Sequence, residues 1–450
     1  MSKEIRHVVT SSAELLDALA QGRREIEVRG TLSGMPMITL PPGVRLRGGT
    51  LRFGAKGVRL TRDNELTDVT VRTAESEVAI FNDTSVDDLG TLSLRDVRTV
   101  GQVLFVAEHA VRSGHVRVRG LRVLSADVRG RAERPYLVGV EALQGAVTVW
   151  NRQPDPAVTI TAELLDVGAG TAEIPVRGSG VLVGGRRGGG TLRVPTLSTC
   201  EVHVDGGIAP GTPDLIGAGV MVTPGAVVDQ VVNEGPVTTR GQNDMALDNS
   251  GDVTTWTARA PITSYGPSGI GFVNFGAIDR VDVRAPIQTF GTGARGFNFY
   301  AGTLRHASFH SIATHGDGSI GIQVGGELPV LEIAGDLTTD GGAGLSLVKG
   351  VQVRLKAIAL SVQAGGHVGS ATVGGRIRTA GDDVLTVEVE GRLDDLKVAG
   401  GISAEGRRSD AVRLRDPGLD LTGLTITARD GEPLLQESPS DDRVACPRAC

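Results

Sequence analysis

Four residues of the 450-residue chain have the types and spacing of an acid–base pair with supporting carboxylates: His315, Asp317, Asp340 and Asp382. His315 and Asp317 flank one glycine in THGDGSIG, Asp340 stands in TTDGGAG, and Asp382 stands in AGDDV. A histidine oriented by a carboxylate can take and return a proton near neutral pH. Several carboxylates on one edge could instead hold calcium, a hard cation that takes oxygen ligands. Aspartate and glycine are also the residues that tight turns use, so the same stretch could be a turn without chemistry.

What must position these residues is a repeat. ITSYGPSGIGFVNFG from Ile262 is followed by IQTFGTGARGFNFYAG from Ile287, IATHGDGSIGIQVGG from Ile312 and LTTDGGAGLSLVKG from Leu337. Gly241, Gly266, Gly291, Gly316 and Gly341 mark one position at 25-residue steps, and Gly381, Gly406 and Gly431 resume the step after a 40-residue interval. That interval predicts one turn of the repeat carrying about 15 extra residues that bulge outward. Within each unit, short runs such as GFVNF and VLEIAG alternate apolar and polar residues, which is strand chemistry. One unit cannot bury its own apolar face, so it stacks on its neighbours, with equivalent residues roughly 4.8 Å apart.

Stacking turns the sequence into columns. Val237, Ile262, Ile287, Ile312 and Leu337 form one apolar ladder, and Leu247, Phe272, Phe297, Ile322 and Leu347 form another. Asn249 and Asn274 share a column two positions further on, where stacked asparagines satisfy turn amides. Just before the marker glycine the units carry Arg240, Tyr265, Phe290, His315 and Asp340. His315 and Asp340 become neighbours, with Asp317 beside the histidine and Asp382 one coil beyond. These four are the candidate catalytic residues.

The candidate substrate-binding residues are Arg240, Asp248, Tyr265, Phe275, Asn298, Tyr300 and Gln323. Nine aromatic residues fall between 256 and 309, out of two Trp, three Tyr and nine Phe in the whole chain. Alternation turns Phe275 and Tyr300 outward, beside Asp248, Asn298 and Gln323. Such a patch could stack on sugar rings or form the interface of a homo-oligomer.

The opening third is less regular. SSAELLDALAQG carries a capping-box pattern from Ser11 to Glu14 with Leu15, Leu16 and Leu19 on one helical face, followed by strand-like EIEVRGTLSG. This helix, the phrase LPPGVRLRGGTLRF and the glycine-marked coils together resemble the pectin-lyase-like superfamily. The resemblance implies an all-β, single-stranded right-handed parallel β-helix with an N-terminal capping helix, over residues 10 to 435. It also implies carbohydrate chemistry by a lyase, hydrolase or epimerase. The motifs of particular families are not met: Gly366-His367-Val368 and Arg376-Ile377-Arg378 precede Gly381-Asp382-Asp383, the reverse of the polygalacturonase order.

The expected organisation is a cap over 1–30, irregular coils over 31–236, regular 25-residue coils over 237–435 and a polar tail over 436–450. Phrases at Gly139, Gly180 and Gly219 suggest oversized coils, with TVWNRQPDPAVTITAELLDV and GGRRGGGTLRV leaving as loops. Cys200, Cys446 and Cys450 are too few for a disulfide framework. A net charge of −6, spread along the chain, argues against a basic patch and hence against nucleic-acid or membrane partners. MSKEIRHVVTSSAELL lacks a long apolar core, which points to a cytoplasmic location. Two functions fit: a carbohydrate-directed enzyme using the His/Asp edge with no obligate cofactor, or a non-catalytic scaffold, oligomerising or ligand-binding module.

Overall fold

The computed structural model describes residues 6–134, 140–348, 350–415 and 418–436. The 436–450 tail, with Cys446 and Cys450, lies almost wholly outside the described residues, as does Gly139. The chain is an all-β parallel β-helix. Each coil of the regular array contributes a three-residue strand such as Ile262–Ser264, then Ile270–Asn274, then Ala277–Val283, before the next coil starts at Ile287–Thr289. The first and third of these belong to one long parallel sheet and the second to a facing sheet.

The 25-residue step is the register itself. Val237 pairs with Ile262, Ile262 with Ile287, Ile287 with Ile312 and Ile312 with Leu337, and all five side chains are buried. The second ladder runs Leu247, Phe272, Phe297, Ile322 and continues into Leu360 rather than Leu347. Leu347 instead lies in an antiparallel hairpin, Ala343–Val348 with Val351–Lys356. This insertion is the bulge expected from the 40-residue interval: Ala357 N donates to Gly342 O at 3.0 Å, closing its base, and the coil resumes. The hairpin folds back over earlier coils, where Leu347 N donates to Ser268 Oγ at 2.8 Å and Ser346 Oγ to Gly293 O at 2.8 Å.

Glycine is required where the two sheets pinch together. A Cβ on Gly296 would lie 2.3 Å from Ile312 Cγ2 and 2.6 Å from Gly321 O, and Gly271 meets Ile287 in the same way. In the N-terminal coils the two outer strands fuse into one bent strand, as in Asp88–Val100. There the corner is a single residue in the left-handed region: Asp68, Asp96, Gly120 and Asp166, with φ between 50° and 72°. Aspartate and glycine tolerate that conformation.

Several local expectations are corrected. The helix Ser12–Ala20 is capped by Ser11, whose Oγ accepts from Glu14 N, but its buried face is Leu15 and Ala18, and Leu16 is exposed. Residues 148–167 and 184–194 do not leave the coil: they supply strand residues of Gly145–Asn151, Thr159–Ala169 and Thr191–Asp205 joined by short turns. The residue equivalent to Gly180 one coil earlier is Ala146, since Gly145 pairs with Ser179 and Val147 with Val181. Asn249 Nδ2 donates to Asn274 Oδ1 at 2.8 Å and Asn249 Oδ1 accepts from Gly251 N, the turn-satisfying role expected of that pair.

Candidate functional site

The residues just after each short strand form one continuous edge. Their backbone positions are fixed by a repeated bond: Tyr265 N donates to Thr239 O, Phe290 N to Ser264 O, His315 N to Thr289 O and Asp340 N to Thr314 O, at 2.8–2.9 Å. The side chains therefore stack. The Arg240 guanidinium lies 5.4 Å from the Tyr265 ring centroid, Tyr265 stacks on Phe290 at 5.1 Å, and Phe290 stacks on His315 at 4.7 Å. His315 Nδ1 is 2.7 Å from Asp340 Oδ2, and Asp340 Oδ1 accepts from Arg378 Nη1 at 3.1 Å.

Arg378 extends the line where the column itself would break. The next residue in register is Ala380, too short to meet a neighbour, and Arg378 reaches across that rung to Glu405 at 2.7 Å. Burial works against the Arg378 charge, but hydrogen bonds and charges from Glu405 and Asp340 outweigh it and hold its pKa above the usual arginine range. At the other end the column continues back through Asp205 and Arg177, an ion pair, to Asp127. There a hollow of 660 Å³ opens, lined by Asp127, Arg129, Arg131 and the 206–209 loop.

The structure brings together His315, Asp340, Tyr265 and Arg240, but gives Asp317 and Asp382 other work. Asp317 Oδ1 accepts from Gly342 N at 2.8 Å, and Asp382 does the same one turn further on, accepting from Arg407 N at 2.8 Å and Arg407 Nε at 3.0 Å. Those bonds, the backbone one first, hold the Asp382 carboxyl below its usual range. Asp383 is held by Arg408. Cations thus already engage the acidic end of this edge, and among the described residues no group of three or more His, Cys, Asp or Glu side chains converges to hold a metal.

His315 has the orientation of a general base but not its access. Asp340 fixes Nδ1 and leaves Nε2 as the remaining ring nitrogen, yet Nε2 is shielded from solvent and has no hydrogen-bond partner. A base must reach the proton it abstracts. The ring faces are similarly committed. Tyr265 and Phe290 lie within 14° of parallel, and Phe275 and Tyr300 within 6° at 5.1 Å. Tyr265 lies between Arg240 and Phe290, and Phe290 between Tyr265 and His315, so the edges of these two rings are what solvent meets, while Phe275 gives one face to Tyr300.

The expected outward polar residues lie under a second layer. Asp248 and Asn298 are fully buried and Gln323 partly so, within a row that faces out of the second sheet (Asp248, Val273, Asn298, Gln323). Val273 of this row packs in an apolar cluster with Met245 and Ile270 of the row's own strands and with Ala142 and Ile216, and the 343–356 hairpin lies over Arg295 in the neighbouring row. Arg295, missed in the sequence, is sealed beneath the hairpin with Gln323, Gly293 O and Ser346 as neutral partners. Burial pushes its pKa down.

These features define a class, an all-β parallel β-helix with one continuous polar and aromatic edge. No protein-family model matches the chain, and no curated protein or solved structure matches it either. No helix among the described residues is long and apolar enough to cross a membrane.

Proposed function

We propose that this protein is a carbohydrate-binding β-helix, pectin-lyase-like in architecture, which holds an extended oligosaccharide along the edge from Arg240 to Asp340. The observation that carries this reading is the continuity of that edge. Charged groups that can hydrogen-bond sugar hydroxyls (Arg240, Asp340, Arg378) bracket exposed aromatic edges, and a hollow lies beyond one end. Ring edges are the positive part of an aromatic quadrupole, so they suit the oxygens of a sugar rather than its C–H face. Binding is favoured over catalysis because His315 Nε2 is covered and Asp340 already has His315 and Arg378 as partners. Calorimetry against a panel of neutral and acidic oligosaccharides tests it. Tyr265→Ala/Phe290→Ala should weaken the bound sugar about tenfold, as expected for two aromatic contacts, and binding unchanged by that double substitution overturns it.

A second reading is kept by one observation, the His315–Asp340 contact, which has the orientation of a catalytic pair. A lyase or hydrolase would need the edge to open and expose Nε2. Turnover of an oligosaccharide that His315→Ala abolishes would favour this reading over simple binding.

A further inference from the structure

The acidic total conceals a cationic face. On the outer side of the long sheet, Arg47 pairs with Thr67, Thr67 with Arg95 and Arg95 with Arg119. Around the corner, Arg52 pairs with Arg72 and Arg98 with Arg122. The neighbouring column alternates in sign in the ordinary way, Arg45 contacting Glu25 and Glu65 and Arg117 contacting Glu163, and within the second row Arg122 is paired with Asp166. By contrast Arg47, Arg52, Arg72, Arg95, Arg98 and Arg119 are exposed and form no ion pair among the described residues. Like charges directly opposite on neighbouring strands are destabilising, so the fold carries a cost here that an anion would relieve. A groove of 550 Å³ lies within this face, its charged lining Arg95, Asp96, Arg117, Arg119 and Glu163. The expectation that the chain has no basic patch is not met.

We propose that this arginine face binds a flexible linear polyanion whose charges are phosphate or sulfate groups, the chemistry shared by inorganic polyphosphate and sulfated glycans. Arginine suits tetrahedral oxyanions because its planar fork donates two parallel hydrogen bonds. The columns run along the solenoid axis with a rung spacing of about 4.8 Å, so a thin chain lying along them meets a guanidinium at successive rungs. Asp68 and Asp96 stand at the corner between the two arginine rows, and they confine the anion to one row or the other. Single-stranded nucleic acid is disfavoured because its binding uses exposed aromatic platforms, whereas Phe53 and Phe105 of these coils are buried and the half-buried Phe81 lies on the facing sheet. A membrane surface is disfavoured because none of the exposed large apolar side chains among the described residues lies between positions 38 and 173.

The test uses the full chain with long-chain polyphosphate and dextran sulfate as separate probes, titrated at several salt concentrations. Binding of either probe is expected, and which one binds tells the source of the oxyanion. Arg47→Glu/Arg95→Glu/Arg119→Glu should bind at least tenfold more weakly, and Arg119→Gln should lose about threefold. The log–log salt slope should fall by about 2 in the triple variant, at about 0.7 per phosphate contact removed. Arg305→Glu, at an exposed arginine further along the sheet that sits near Asp279, should bind as the wild type does. Circular dichroism of the triple variant checks that the coil persists, and Arg119→Gln keeps the test decisive should the triple fail to fold. Failure of both probes to bind at low salt overturns the proposal. So does equal binding by wild type and variants, or tighter binding of single-stranded DNA or of phosphatidylserine vesicles than of either polymer.

Discussion

Replacing Asp244 with Asn should remove a pH dependence that the wild-type coil carries. Asp244 is fully buried; its Oδ2 accepts from Gly206 N at 2.9 Å and Gly241 N at 2.8 Å, while Oδ1 has no partner. Burial is the dominant influence and raises its pKa from 3.8 to about 7, against the two backbone donors. The folded state therefore keeps a proton that the unfolded chain releases. Stability from this group is complete below about pH 4, falls as pH rises towards 7 and levels off above, because the folded state binds more protons throughout that window. Three units at about 1.4 kcal/mol each amount to roughly 4 kcal/mol. Asn cannot ionise and keeps an acceptor for the two glycine amides. Relative to its value at low pH, the difference in stability between Asp244→Asn and wild type should thus move in the variant's favour by about 2 kcal/mol at pH 5 and about 4 kcal/mol at pH 8. Urea unfolding followed by Trp256 fluorescence is the assay, since a solenoid can open by parts and Trp256 is buried in the same coil as Asp244. A difference that is the same at both pH values would refute the reasoning, for it would mean that Asp244 is ionised in the folded state at pH 5 as it is at pH 8.

Gly296→Ala should cost about 1–3 kcal/mol or more by overpacking, because its Cβ meets both Ile312 and the Gly321 carbonyl; Gly54→Ala, which meets nothing, should be near neutral, and urea midpoints compare them. Replacing 343–356 with a two-glycine link should leave the parallel coil intact by circular dichroism, since Gly342 and Ala357 already meet, while exposing Arg295 to arginine-selective modification that the wild type resists. Asp340→Asn should cost less than about 1 kcal/mol in stability, as expected for an exposed ion pair, but weaken bound sugar; a large drop in the thermal midpoint would assign Asp340 to the fold rather than to the edge.

The regular half of the coil was legible because one turn chemistry recurs at a constant step, so register, both apolar ladders and the His315–Asp340 contact follow from counting. The Leu347 step failed where an insertion occupies the counted position and Leu360 takes the core site. The arginine columns were hidden because the early coils have unequal lengths: Arg47 pairs with Thr67, Thr67 with Arg95 and Arg95 with Arg119, at steps of 20, 28 and 24 residues. No fixed period brings such residues into line. The burial of Asp248 and Asn298 was out of reach for another reason. Alternation places a side chain on a face, but what packs on that face includes segments far away in sequence, here the hairpin over Arg295 and Ala142 in the cluster around Val273. Likewise, aromatic residues 25 apart were visible, but not that their faces would be used up on one another.

A crystal structure with a bound oligosaccharide would decide whether the edge from Arg240 to Asp340 is the ligand-binding line proposed above. Sugar density is expected along Tyr265, Phe290 and His315, with hydroxyls bonded to Arg240 and to Asp340 or Arg378. Sugar bound on another face, with that edge bare, would contradict it.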